Sequence, residues 1–182
     1  LIEFVETRVQ EIMRDRDTKN KDAIAATVAR AALKYSMLRV NASQAMAFDI
    51  NESISTSGDS GSYVRYIVTR ILSLLKKAGV DMHEKISAPK VSTEIVKEEK
   101  QLLLEIIRFS GVTETAAAEL DPSVVTKYLF SLAQAFNGFY QVCPVIDAPE
   151  EQKQFRLRLV RTVFQVMTRG LDLLGIETVE EM

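Results

Sequence analysis

The stretch Asp121-Pro122-Ser123-Val124-Val125-Thr126-Lys127-Tyr128-Leu129-Phe130-Ser131-Leu132-Ala133-Gln134-Ala135-Phe136-Asn137-Gly138-Phe139-Tyr140 decides the fold class. It opens with an Asp placed to cap a helix and a Pro at the first helical position, where a missing N–H costs nothing. Val125, Tyr128, Leu129, Leu132, Phe136, Phe139 and Tyr140 then recur at the spacing that lines one side of a helix. Pro144 predicts its end.

The same period continues outward in both directions. Downstream, Pro149 opens a helix through Phe155, Leu159, Val163, Phe164 and Met167 to Gly170, leaving residues 171–182 as a tail. Upstream, a short helix is predicted over 113–120. Before it, a longer one with Ser92 or Thr93 as N-cap carries Ile95, Leu102, Leu103, Ile106 and Ile107 and stops at Ser110-Gly111. A helix from Gly61 to Gly79 carries Tyr63, Ile67, Ile71 and Leu74 or Leu75, with Gly79 as its C-terminal cap. Residues 23–40 form another, with Ile24, Val28, Ala31, Tyr35 and Leu38 on one side, and Leu1, Val5, Val9 and Ile12 make a first stripe. Residues 41–62, closing in Ser55-Thr56-Ser57-Gly58-Asp59-Ser60-Gly61, have the composition of a loop. No stretch alternates as a strand would, so the predicted class is all-α.

A chain of 182 residues with 47% hydrophobic content fits one domain, or one domain and a stem. Its net charge of −2 carries no global positive field, so any nucleic-acid contact must come from a local patch. The single cysteine, Cys143, excludes an intrachain disulfide, suits a reducing compartment, here read as cytoplasmic, and is expected as a buried small hydrophobe. No apolar run reaches the roughly 20 residues of a membrane span, so no membrane partner is expected. One histidine, His83, is too few for a nucleophilic triad or a His/Cys metal site, and the carboxylates, Glu94, Glu98 and Glu99 among them, read as isolated surface charges. Neither a catalytic residue nor a metal ligand is expected.

One constellation stands out. Between Asp59 and Asp81 there is no acidic residue, while Arg65, Arg70, Lys76 and Lys77 fall on one helix. Tyr63, Tyr66 and Arg70 share a side of it. Phenol rings and a guanidinium suit splayed single-stranded bases, since both stack on base faces while the charge meets phosphate. On spacing alone, the tyrosines read first as core aromatics and the cations as a solvated face; a second basic cluster, Lys153, Arg156, Arg158 and Arg161, also fits a plain solvated face.

Ala32-Leu33-Lys34-Tyr35, Phe48-Asp49, and Gly58-Asp59-Ser60-Gly61-Ser62-Tyr63-Val64-Arg65-Tyr66 leading to Arg70 together resemble the anticodon-binding domain of arginyl-tRNA synthetases, the DALR type. Tyr128-Leu129-Phe130, Ala135-Phe136-Asn137-Gly138-Phe139-Tyr140, Cys143-Pro144-Val145 and the ending Gly170-Leu171-Asp172-Leu173-Leu174-Gly175-Ile176 to Met182 resemble the same family. The resemblance implies a helical bundle of the class I synthetase anticodon-binding type over 22–182. It implies anticodon contacts from the loop Ser57, Gly58, Asp59, Ser60 and Gly61 and from Tyr66, Arg70, Tyr140 and Met182. Arg65, Lys76 and Lys77 are expected as phosphate contacts. The implied partner is arginine tRNA through its anticodon stem and loop.

Gly61-Ser62-Tyr63 stands where the family often has Gly-Pro-Tyr, Arg65 where it often has Gln, and Val179 where it often has Pro. The family's nucleotide-binding signature with two histidines and its Lys-Met-Ser-Lys-Ser-like loop are absent. The catalytic domain, with the parent ligase's ATP and Mg, is therefore expected upstream of Leu1, with residues 1–21 as the connection and no cofactor for this chain. The alternative expectation is a helical protein-interaction module without RNA specificity.

Overall fold

The computed structural model describes residues 1–12, 21–80 and 94–178. Seven helices and no strand occur among them: α1 (Ile2–Ile12), α2 (Lys21–Leu38), α3 (Ile50–Ile54), α4 (Gly61–Lys77), α5 (Lys97–Glu119), α6 (Ser123–Val142) and α7 (Glu150–Leu173). The all-α expectation holds. No helix among the described residues is long and apolar enough to cross a membrane.

Helix α4 is the central element, packed against α2, α6 and α7, while α5 lies across α6 and α7. Val64, Ile67, Val68, Ile71 and Leu75 of α4 meet Leu129, Leu132, Phe136 and Phe139 of α6 and Val160, Val163, Met167 and Leu171 of α7. Fully burying each such side chain contributes roughly 1.5–3 kcal/mol. Two glycines let helices approach. A Cβ on Gly61 would sit 2.7 Å from the Tyr35 Cβ, and one on Gly170 would sit 2.6 Å from Leu129 Cδ2. The first fits α4 against α2, the second α7 against α6. A smaller cluster joins Val5 and Val9 of α1 to Ala25, Val28, Ala29 and Ala32 of α2 and Ile54 of α3.

Helix ends follow local chemistry. Ser60 caps α4, its hydroxyl accepting from the Tyr63 N–H at 3.0 Å. At the other end Gly79 takes φ +68°, and the Val80 N–H reaches back to the Leu75 carbonyl at 3.1 Å, the expected glycine cap. Helix α6 begins one residue later than expected, with Pro122 at its N-cap, and Asp121 just before it accepts from the Ser123 N–H at 2.9 Å. Asn41 donates to its other oxygen at 2.7 Å. These two hydrogen bonds lower the Asp121 carboxyl pKa below the usual range.

Three expectations are corrected. Residues 50–54, read as loop, form α3, because the Asp49 side chain accepts from the Glu52 N–H at 3.0 Å and Ile54 is buried against α1 and α2. The predicted stop at Ser110-Gly111 does not occur: 97–119 is one helix. The Thr113 and Thr115 hydroxyls bond back to the carbonyls of Ser110 and Gly111, each at 2.8 Å, and Phe109 packs on Tyr128 with ring centroids 5.7 Å apart. Tertiary packing thus outweighs the roughly 1 kcal/mol that a mid-helix glycine costs. The helix ends where Leu120 takes φ 52°. Last, Glu99 is a core residue instead of a surface charge. It is 3% exposed and pairs with the 6% exposed Arg156 at 2.7 Å. Ser92, Thr93, His83, Val179 and Met182 lie outside the described residues.

Candidate nucleic-acid interface

On α4, positions 66, 70, 73 and 77 fall within roughly 60° of one another around the axis, at about 100° per residue. Tyr66, Ser73 and Lys77 on this stripe are exposed, and Arg70 is half-buried against α6. Arg65 lies roughly 100° away, toward the core. Its side chain is 1% exposed, which withdraws it from the expected phosphate contacts. The Arg65 guanidinium donates through Nη1 to the Thr27 carbonyl at 3.4 Å, while Nε and Nη2 have no partner among the described residues. Burial lowers its pKa to about 10, opposed by the Glu177 carboxylate. Lys76 and Lys77 are exposed in the last turn of α4, where cations also complement the helix dipole.

Arg70 is the hub. Its Nη2 donates to the Tyr66 hydroxyl at 2.7 Å and its Nη1 to Asn137 Oδ1 at 2.9 Å. The guanidinium carbon stands 5.0 Å from the centroid of the Tyr66 ring and 5.0 Å from that of Tyr140, both within cation–π range. Tyr140 also stacks on Phe136, with centroids 5.9 Å apart and planes 29° from parallel. Tyr66 and Tyr140 remain 36% and 38% exposed, so both rings are reachable from solvent. Tyr63, by contrast, is half-buried and meets Phe130 edge-on at 5.8 Å. The choice between core aromatic and surface aromatic therefore splits: Tyr63 leans inward and Tyr66 outward.

Asn137 was missed in the sequence, although its spacing was a signal. It lies three residues before Tyr140 and shares that side of α6.

The loop before α4 is a braced turn. The Tyr35 hydroxyl donates to Asp59 Oδ1 at 2.7 Å and lies 3.1 Å from the Thr126 carbonyl. Burial, then the Asp59 carboxylate, raises the Tyr35 pKa far above the normal phenol value. Arg39 ties the loop from outside, donating to the Asp59 carbonyl at 2.8 Å and to Glu52 at 2.7 Å. Ser60 and Gly61 are buried, the first capping the helix and the second lying against Tyr35. Ser57 and Gly58 alone of the five expected loop residues are exposed, and Gly58 makes the turn with φ +77°. From Gly61 to Arg70 the helix rises roughly 14 Å.

Of the second basic cluster, Arg156 is inside the fold, donating to Glu99 at 2.7 Å and to the Pro144 carbonyl at 2.7 Å. Cys143 is buried as expected, and burial raises its thiol pKa, opposite to an activated nucleophile.

Residues 64–182, which hold this arginine and its two accessible tyrosines, match the family model described as the DALR anticodon binding domain. The chain belongs to that family. It is similar in particular to arginine–tRNA ligases: 35% identical over 175 residues to that of Aliivibrio salmonicida, covering 96% of this chain and 30% of the relative. The Photobacterium profundum ligase is 37% identical over 168 residues, with 92% and 29% covered. In three dimensions the chain superposes on Thermus thermophilus arginyl-tRNA synthetase with a TM-score of 0.89 at 32% identity, covering 100% of this chain and 31% of that one. The chain thus spans about 30% of the length of the curated relatives it matches.

Proposed function

We propose that this chain is the part of an arginine–tRNA ligase that grips the anticodon stem and loop of arginine tRNA and holds the acceptor end toward a catalytic domain outside residues 1–182. The observation that carries this reading is the Arg70 cluster. It lies on α4 and α6, inside the stretch that matches the anticodon-binding family, and it pairs accessible aromatic faces with a fixed cation. In this reading Tyr66 stacks on a splayed base, Tyr140 walls the opposite side, and Arg70 donates from its edge to a base or phosphate. Ser57 and Gly58 offer backbone at the loop tip, Lys76 and Lys77 follow the phosphates, and Met182 supplies a further anticodon contact. Asp59, Ser60 and Gly61 shape the loop more than they touch the RNA. ATP and Mg belong to the catalytic part, residues 1–21 connect to it, and the setting is the cytoplasm.

The test is a titration of the 182-residue chain with an arginine anticodon stem-loop and a base-swapped version at two salt concentrations. The cognate loop binds more tightly, and both affinities fall as salt rises, because phosphate neutralisation releases counterions. Equal affinities for the two loops would overturn anticodon reading and leave a generic RNA-binding surface. Tyr66→Ala weakens cognate binding by about 1–3 kcal/mol, the usual worth of one base–aromatic stack; superimposable curves for mutant and parent remove Tyr66 from the site.

A further inference from the structure

We infer that Asn137 is a positioning residue that sets the direction in which Arg70 presents its remaining donors, and so carries anticodon selectivity without itself touching the tRNA. The inference rests on the RNA-binding reading above.

A guanidinium offers five N–H donors around a flat plate. Two of its nitrogens are engaged, Nη2 with the Tyr66 hydroxyl and Nη1 with Asn137 Oδ1. These two bonds are not equivalent. Tyr66 lies four residues before Arg70 on α4, so its hydroxyl ties the arginine only to its own helix. Asn137 is on α6, and it is the hydrogen-bond partner that reaches Arg70 from another helix among the described residues. A long arginine side chain has considerable rotamer freedom to lose. An acceptor on a second rigid helix removes much of it before any ligand arrives, which is the structural meaning of preorganisation.

The register adds a second consequence. Asn137 is three residues before Tyr140 and one after Phe136, the residue on which Tyr140 stacks. One amide therefore registers the cation of α4 against the aromatic wall of α6. Because Nη1 donates, the side-chain oxygen of Asn137 must face Arg70, and a residue without an acceptor there leaves one guanidinium nitrogen unfixed. Arg70 also has ring contacts to Tyr66 and Tyr140, so its route to a base is through its edge, and the aim of that edge is what Asn137 controls.

Two measurements test this, one without RNA. In the free chain, 15N-resolved NMR of the Arg70 guanidinium shows slow rotation of the Nη groups in the parent and averaged signals in Asn137→Ala. Free rotation in the parent overturns the inference whatever the RNA does. The second is a double-mutant cycle on binding of the cognate and base-swapped stem-loops. Asn137→Ala weakens cognate binding about tenfold, the scale of one hydrogen bond to a charged group, and narrows the gap between the loops. In an Arg70→Ala background the same change costs less than about twofold, because the residue it acts through is gone. Asn137→Asp, which keeps the acceptor, retains the gap. Additive losses, or a gap lost equally in Asn137→Asp, mean that Asn137 contacts RNA directly or is merely structural. A parent chain that binds neither loop ends the RNA reading, while the NMR result still decides whether Asn137 fixes Arg70.

Discussion

Glu99→Ala is expected to destabilise the fold by about 3–5 kcal/mol, the range for stripping one partner from a buried ion pair. For a domain of this size that lowers Tm by roughly 6–20 °C. Glu99 and Arg156 have side-chain exposures of 4% and 8% and meet at 2.7 Å. The pair sits where the start of α5, the loop after α6 and the body of α7 converge. Glu99 also accepts from the Val96 N–H at 3.0 Å, and Arg156 also donates to the Pro144 carbonyl. Removing the carboxylate leaves a buried guanidinium still donating to the Pro144 carbonyl but without its counter-charge. The comparison that isolates the charge is the double variant Glu99→Met with Arg156→Leu. Replacing a buried pair by apolar groups of similar volume is commonly neutral or stabilising, so the double variant melts above the single one. Thermal unfolding followed by circular dichroism reads both. A single variant within about 1 kcal/mol of the parent would mean that water reaches the pair, as at a surface bridge.

Arg70→Ala gives the largest expected effect on RNA. The substitution removes two hydrogen bonds and the cation shared by two rings. It also removes whatever the guanidinium edge gives the anticodon. A hydrogen bond to a charged group is worth about 1.5–3 kcal/mol, so cognate binding weakens by about 3 kcal/mol, roughly a hundredfold. Stability changes little, because Arg70 is only half-buried and its neighbours Tyr66 and Tyr140 face solvent. Arg70→Lys separates charge from shape. An ammonium keeps the phosphate attraction but cannot satisfy Asn137 and Tyr66 as a planar fork does, so it recovers part of the affinity and little of the selectivity. The readout is the Kd for the cognate and the base-swapped stem-loops at low and moderate salt. A change under twofold in Arg70→Ala would exclude this cluster as the anticodon site.

The helices of this chain were largely visible beforehand, since caps and apolar periods are local properties. Asp121, Ser60 and Gly79 end or begin helices as their chemistry dictates. The family was legible too, through several short motifs in order, and the stretch 64–182 matches it. The helix over 50–54 escaped notice because its five residues are too few to show a period. The apparent break at Ser110-Gly111 misled because a glycine without positive φ does not end a helix that its neighbours hold in place.

Charge placement marks the boundary between the two sources. By itself the sequence determined an all-helical chain, a tyrosine-bearing basic helix and a family, because backbone hydrogen bonding and side-chain period depend on residues a few positions apart. Only the tertiary structure decided which charges are interior. Arg65 and Arg70 are five residues apart on α4, yet one is enclosed beside the Thr27 carbonyl and the other stands between two exposed tyrosines. Glu98 is partly exposed and Glu99 is in the core. What surrounds a side chain is set by helices far away in sequence, and so are its solvation and its hydrogen-bond partners. Asn137 meets Arg70 from 67 positions away in the sequence for the same reason.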